Sequence, residues 1–212
     1  MEKRIISLLE KIIPNPDIHA KWLNTLSFME NTGTTKIYKT QSASGRQMVL
    51  QHAAEESRHA LFFKKLVKRH YGNLCEDYSR KNLLAGWNSF LYFQRLDAMV
   101  HLEIQKNMSR QLSGEEKSYI VYLYVTLLIE KRASMVYEIY ENLLQHDGKG
   151  ISLATVIAEE TGHMSSTLEQ LAKNDPDFSK RMQGFGVKEE KYFLKLLEQL
   201  EKSVSGMLSV CT

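Results

Sequence analysis

Two short stretches carry the residue types for metal chemistry: His52-Ala53-Ala54-Glu55-Glu56-Ser57-Arg58-His59 and, about a hundred residues on, Ala158-Glu159-Glu160-Thr161-Gly162-His163. On a helix, a Glu three residues before a His sets a carboxylate and an imidazole about one turn apart on one face, so both can reach a single cation. A further Glu precedes each stretch: Glu30 in Leu26-Ser27-Phe28-Met29-Glu30, and Glu130 in Leu127-Leu128-Ile129-Glu130. The order along the chain is Glu, Glu-x-x-His, Glu, Glu-x-x-His.

Read at steps of three, four and seven, each of these carboxylates lies on an otherwise apolar helical face. Glu30 falls with Leu23, Leu26 and Ile37; Glu56 with Val49, Ala53, Ala60 and Phe63; Glu130 with Leu123, Leu127 and Tyr137; Glu160 with Leu153, Val156, Ile157 and Met164. A buried carboxylate is costly unless it is neutral, paired or bound to metal. Four of them with two histidines point to metal in preference to ion pairs with Arg58, Lys131 or Arg132. Glu55 and Glu159 sit roughly 100° round the helix from the ligand carboxylates and are expected at the surface. Carboxylates and imidazoles with open positions suit Fe or Mn better than thiolate-preferring metals. His52, four residues before Glu56 on the same face, is either an extra ligand or a neighbour of the ligands.

The elements that must position these residues read as helices almost throughout. Prolines occur only at 14, 16 and 176, which leaves the long middle of the chain free of helix breakers. Asn15 and Pro16 suit an N-cap and a first helical position, opening a helix to about Thr40. Ser44 and Gln47 have capping-box spacing for a second helix to about Tyr71. The break between them centres near residue 43, thirteen residues from both Glu30 and Glu56. At about 1.5 Å per residue, an antiparallel hairpin then holds both carboxylates roughly 20 Å from the turn.

A third amphipathic helix is expected from about Asn82 to Gln111, with Leu83, Leu84, Trp87, Phe90, Leu91, Met99 and Leu102 on its apolar positions. Ser113 and Glu116 form another capping box, for a helix to about Gln145. Asp147-Gly148-Lys149-Gly150 is a turn, and Ser152 can cap the helix bearing Glu160 and His163. The midpoint of Glu130 and Glu160, residue 145, falls near that turn, so the second hairpin levels its ligands too. Asp175-Pro176-Asp177 with Gly184 and Gly186 reads as a loop. A last helix, about 187–204, offers Phe193, Leu194, Leu197 and Leu200 for packing.

Composition bounds the class. With 212 residues, 43% hydrophobic and 25% charged, the chain fits one globular domain over 1–212, its bundle core at about 16–175. Cys75 and Cys211 have no metal-ligand spacing, a usage that suits a reducing cytoplasm. Met1 to Ile13 reads as a short amphipathic helix stopped by Pro14, because Glu10 and Lys11 interrupt its apolar run. No run of some 18 apolar residues marks a membrane span. A net charge of +3 is mildly basic. Its one concentrated patch, Lys64, Lys65, Lys68, Arg69 and His70, is first a helix end whose cations offset the C-terminal dipole, and second a surface for RNA or an acidic redox partner.

On Glu30, Glu56, His59, Glu130, Glu160 and His163 the sequence resembles the ferritin-like di-iron carboxylate superfamily, over residues about 16 to 175. That family takes one Glu from each of two helices and a Glu-x-x-His from each of two others. The resemblance implies an all-α fold: a ferritin-like four-helix bundle, with the helix between the hairpins as an added crossover helix and short flanking helices. It implies two Fe ions, or Mn or mixed Mn/Fe, with Glu30 and Glu160 terminal or bridging, Glu56 and Glu130 bridging candidates, and one ion on each of His59 and His163. Phe63 stands where ribonucleotide reductase small subunits place a radical Tyr. Tyr137 is the nearest substitute, and Ser134, one turn after Glu130, is a hydroxyl candidate beside the open positions. Small residues Gly33, Ala53, Ala60 and Ala133 leave room for oxygen and a small substrate.

The added helix favours an oxidase or oxygenase that activates O2 to oxidise or hydroxylate a small molecule, served by an electron-donor protein and able to pair as a homodimer. Alternatives are a ferroxidase, an iron-handling or peroxide-detoxifying protein of the ferritin and rubrerythrin kind, or an RNA-directed protein resembling a tRNA hydroxylase. The rubrerythrin version lacks a Cys pair for its second centre.

Overall fold

In a computed structural model, residues 1–41, 46–108 and 112–210 are described. They are all-helical: α1 (Glu2–Ile12), α2 (Pro16–Gln41), α3 (Gln47–Tyr71), α4 (Asn88–Asn107), α5 (Gly114–Leu144), α6 (Ala154–Asn174) and α7 (Phe178–Val210), with one 3-10 turn at Arg80–Asn82. No helix among the described residues is long and apolar enough to cross a membrane.

Local chemistry sets most boundaries where the sequence places them. Pro16 opens α2, and the Asn15 carbonyl accepts the His19 N–H at 2.8 Å. Asn15's own side chain instead donates back to the Lys11 carbonyl at 2.8 Å, so it closes α1 and does not cap α2. The capping box of α5 is present: Ser113 Oγ accepts the Glu116 N–H at 3.1 Å, and Glu116 accepts the Ser113 N–H at 2.7 Å. Gly72, at φ 65°, ends α3 in the left-handed region. Ser44, the expected cap of α3, and Cys211 and Gln111 lie outside the described residues.

Two elements differ from expectation. The third helix begins at Asn88, six residues later than Asn82, because Ala85 and Gly86 take φ of 58° and 57° and cannot continue a right-handed helix. Leu83 and Leu84 are still buried, but as a loop, pinned where the Leu84 N–H donates to Thr25 Oγ1 at 2.8 Å. The delayed start changes the buried face of α4 to Tyr92, Phe93, Leu96, Val100 and Ile104. Trp87, Phe90, Leu91 and Leu102, expected on the apolar face, are exposed. The last helix starts at Phe178, so the expected loop through Gly184 and Gly186 is helical. Each Gly costs about 0.5–1 kcal/mol there, which burial of Phe185, Phe193, Leu196, Leu197 and Leu200 outweighs.

Helix α2 packs along α3 and α5 along α6, while α4 lies on α5 and α7, and α1 closes against α5 and α7. One continuous apolar cluster draws on all seven helices. The middles of the two pairs face each other, and there the carboxylates meet.

Candidate metal centre

Glu30 comes from α2, His52, Glu56 and His59 from α3, Glu130 from α5, and Glu160 and His163 from α6. All are buried except His163, which is partly so. Helical backbone satisfies its own polar groups, so the polarity gathered here comes from these side chains.

Their ligand atoms fall into three overlapping groups able to hold a metal ion: Glu30 with Glu56, His59 and Glu160; Glu130 with Glu160 and His163; and His52 with Glu56 and His163. One group is built around His59 and two around His163. Glu56 and Glu160 are the carboxylates common to both. Glu160 reaches toward the two imidazoles with different oxygens, Oε1 at 3.1 Å from His59 Nδ1 and Oε2 at 3.9 Å from His163 Nδ1. Glu56 Oε1 is 3.9 Å from each Nδ1. Glu130 is grouped with Glu160 and His163.

His59 Nδ1, His163 Nδ1 and both oxygens of Glu130 are buried with no hydrogen-bond partner. Buried polar atoms are otherwise nearly always paired. Here the unpaired ones are two imidazole nitrogens and a carboxylate, all acceptors when deprotonated and all pointing into the same acidic cluster. This donor set fits a divalent cation.

The opposite edges of the two imidazoles are held. His59 Nε2 donates to Glu159 at 2.7 Å, and His163 Nε2 donates to Glu55 at 2.5 Å. Each Glu-Glu-x-x-His stretch thus supplies the carboxylate that orients the other stretch's histidine. Glu55 and Glu159 were expected at the surface; the 100° offset instead turns them toward the facing helix. Arg58, more than half exposed, ties the two together, 3.1 Å from Glu159 and 3.8 Å from Glu55. The signal was in the sequence as a doubled Glu in both stretches.

His52 joins the cluster: its Nε2 lies 3.2 Å from both Glu56 Oε1 and Glu130 Oε1, and its Nδ1 is 2.8 Å from Tyr122 Oη. Tyr137 donates its hydroxyl to Glu30 and stacks obliquely near Phe63, ring centres 5.8 Å apart. Ser134 turns away, donating to Glu138 at 3.2 Å, and Thr34 bonds back to the Glu30 carbonyl at 3.1 Å. Neither hydroxyl faces the cluster. Gly33 sits in close approach to the cluster: a Cβ there would lie 3.1 Å from Glu56 Oε2.

Electrostatics in the metal-free cluster follow from crowding. Burial and then the neighbouring carboxylates hold Glu30 and Glu130 well above the ordinary range and raise Glu56 to about 7. Burial acts against the Glu160 anion as well, but the adjoining His163 and His59 imidazoles outweigh it and lower that group to about 2. Burial opposes charge on His59 and His163, yet contact with Glu160 and the surrounding carboxylates raises both to about 9. Burial and the charge on His163 lower His52 to about 3. Without metal, the cluster neutralises itself by sharing protons, which a cation would have to displace.

A cavity of about 170 Å³ opens onto the cluster between α2, α4 and α5. Its walls include Ile37, Phe93, Val121 and Val125, and it reaches Glu30, Glu56, Glu130 and Glu160. Lys36 and Asp97, paired at 2.6 Å, stand beside it with exposed His101. The basic patch at the end of α3 is partly engaged: Lys64 donates to Asn24 at 2.5 Å and to the Cys75 carbonyl at 2.9 Å, and Lys68 bonds Asn73. Comparison of the chain with protein-family models, curated proteins and solved structures returned no match.

Proposed function

We propose that the chain is a ferritin-like di-metal carboxylate protein, a non-haem oxidase or oxygenase acting on a small apolar substrate. The observation that carries this reading is the pair of unpartnered Nδ1 atoms facing shared carboxylates, while the same rings are anchored at Nε2 by Glu159 and Glu55. Anchoring one nitrogen fixes the tautomer that leaves the other as a ligand.

Glu30, Glu56, Glu160 and His59 would hold one ion, and Glu56, Glu130, Glu160 and His163 the other, with His52 placed to add a third imidazole to the second. Two Fe ions, or Mn or a mixed pair, would supply reduction of O2 and oxidation of the substrate. Tyr137 donates its hydroxyl to the Glu30 carboxylate and orients it. The Tyr122 hydroxyl, 2.8 Å from Nδ1, holds the His52 ring. Apolar walls at Phe93, Val121 and Val125 exclude water and admit a substrate beside the carboxylates. That cavity favours a substrate oxidase over an iron-storage or ferroxidase reading, in which iron itself is the substrate and needs no apolar chamber.

Anaerobic Fe(II) loading followed by O2, with metal counted per chain and absorbance followed in time, tests the reading. Two irons per chain and a transient band that decays faster with a substrate are expected. Fewer than one iron per chain, unchanged by Glu56→Ala, would return the cluster to a structural role.

A further inference from the structure

The chamber on the carboxylate cluster runs along the helices and has two unlike ends. Its lining includes Phe93, Asp97 and His101 on α4, at steps of four, and Glu30, Gly33 and Ile37 on α2, at steps of three and four. Residues so spaced form one stripe on each helix, and the chamber follows both stripes. Glu30 and the other cluster carboxylates stand at one end, and Lys36, Asp97 and His101 at the other. Between them Phe93, Val121 and Val125 are buried and apolar.

Glu30 and Lys36 are six residues apart on α2, and the α4 stripe from Phe93 to His101 spans eight, about 9 and 12 Å of helix. An extended hydrocarbon chain advances about 1.25 Å per carbon, given C–C bonds near 1.5 Å at angles near 111°, so about seven to ten carbons fit in line. The volume agrees: at roughly 10–15 Å³ for each water-sized atom, about 170 Å³ holds on the order of a dozen heavy atoms.

The mouth selects the head group. Lys36 and Asp97 are joined at 2.6 Å, their side chains 18% and 29% exposed. A carboxylate head would take Lys36 from Asp97 and leave that half-buried anion without its cation; an ammonium head would take Asp97 from Lys36 in the same way. A hydroxyl does neither. It donates to the carboxylate and accepts from the ammonium at once, leaving the pair joined.

We propose that the chamber binds an unbranched primary alcohol of about seven to ten carbons, its hydroxyl at Lys36 and Asp97 and its methyl end at the carboxylate cluster. Binding rests on the chamber and its mouth alone. Only the further statement, that this occupant is the substrate and meets the cluster at its far carbon, rests on the di-metal reading.

Metal-free protein at pH 7 is titrated calorimetrically with 1-butanol, 1-hexanol, 1-octanol, 1-decanol and 1-dodecanol, and with octanoate and octylamine. Affinity should rise about fourfold per methylene as far as eight to ten carbons and then level or fall. Octanoate and octylamine should bind at least roughly tenfold more weakly than 1-octanol. Val125→Phe adds four carbons midway along the α5 wall, between Ser118 and Ala133, and should lower the length limit by about as many. Asp97→Asn removes the anion from the mouth, and should strengthen octanoate about tenfold relative to 1-octanol; it carries the test alone if Val125→Phe does not fold. Absence of saturable binding by every alcohol overturns the proposal, as does affinity that still climbs at 1-dodecanol, the mark of unspecific partition. So does octanoate equal to 1-octanol in the unaltered protein, or a head preference that Asp97→Asn leaves in place. Iron counts on the same protein separate the two readings: length-limited alcohol binding with no iron sinks the di-metal centre alone, and two irons with no saturation sinks this proposal alone.

Discussion

Glu130 and Arg132 are two residues apart on α5 and therefore face roughly opposite ways, about 200° round the helix. Both bury an ionisable side chain, yet their surroundings differ in kind. Arg132 binds Glu189 through two hydrogen bonds, Tyr92 donates to the same carboxylate, and the guanidinium lies 4.4 Å from the centre of the Phe193 ring. Glu130 has neither oxygen paired, and the nitrogens nearest it belong to His52 and His163. A buried charge complete within the chain joins helices; a buried acceptor left incomplete among others of its sign could take a cation. The difference separates structure from site without any knowledge of what the protein does.

The sharpest way to break this contrast is to remove each charge in metal-free protein and measure unfolding in urea. Arg132→Met leaves Glu189 buried without its cation, with only the Tyr92 hydroxyl on it, and should cost about 3–5 kcal/mol. Glu130→Leu removes a carboxylate that nothing pairs, and should be neutral or stabilise by about 1 kcal/mol. Metal counts should reverse the order: Arg132→Met protein that remains folded keeps two ions, while Glu130→Leu loses the one on the His163 side. Equal destabilisation by both substitutions would mean that Glu130 is as structural as Arg132.

How much of this was legible beforehand depends on the range of the interaction. The helices carrying Glu30, Glu56, Glu130 and Glu160 were readable because periodicity, capping and proline placement are local. Convergence of the six residues followed from hairpin arithmetic, since equal distances from a turn place side chains at one depth. The start of α4 was not readable: its apolar residues fit a helix from Asn82, and only the left-handed Ala85 and Gly86 show where the chain breaks. Gly184 and Gly186 read as loop because their neighbours' burial is a tertiary fact. The exchange of Glu55 and Glu159 between the stretches needed the facing of α3 and α6, which no single helix encodes. The Arg132–Glu189 bond, spanning 57 positions, was equally out of reach.

That exchange gives the next largest effect. Glu159→Gln keeps an acceptor for His59 Nε2 but removes the charge that makes the ring a stronger ligand, and Glu55→Gln does the same for His163. Each should weaken metal binding about 10–100-fold while leaving metal-free stability within roughly 1 kcal/mol, because both carboxylates are partly exposed. Competition with a chromophoric chelator measures the first and urea unfolding the second. Unchanged affinity in both variants would reduce the Glu55 and Glu159 contacts to surface ion pairs of the kind Arg58 makes.

The smallest expected effect sharpens the contrast from the backbone side. Gly33→Ala adds a methyl 3.1 Å from Glu56 Oε2, a contact that the carboxylate can relieve by withdrawing a few tenths of an ångström. In metal-free protein Glu56 is free to withdraw, and the gain from replacing Gly inside α2 should dominate, stabilising by about 0.5 kcal/mol. With metal bound, Glu56 would be fixed between two ions, so the same methyl should lower affinity a few-fold. Opposite signs in the two states, read by unfolding with and without metal, are what a carboxylate shared by two ions requires. A change of the same sign in both would show that Glu56 is held as rigidly by the protein as Arg132 is, and that the metal adds nothing to its position.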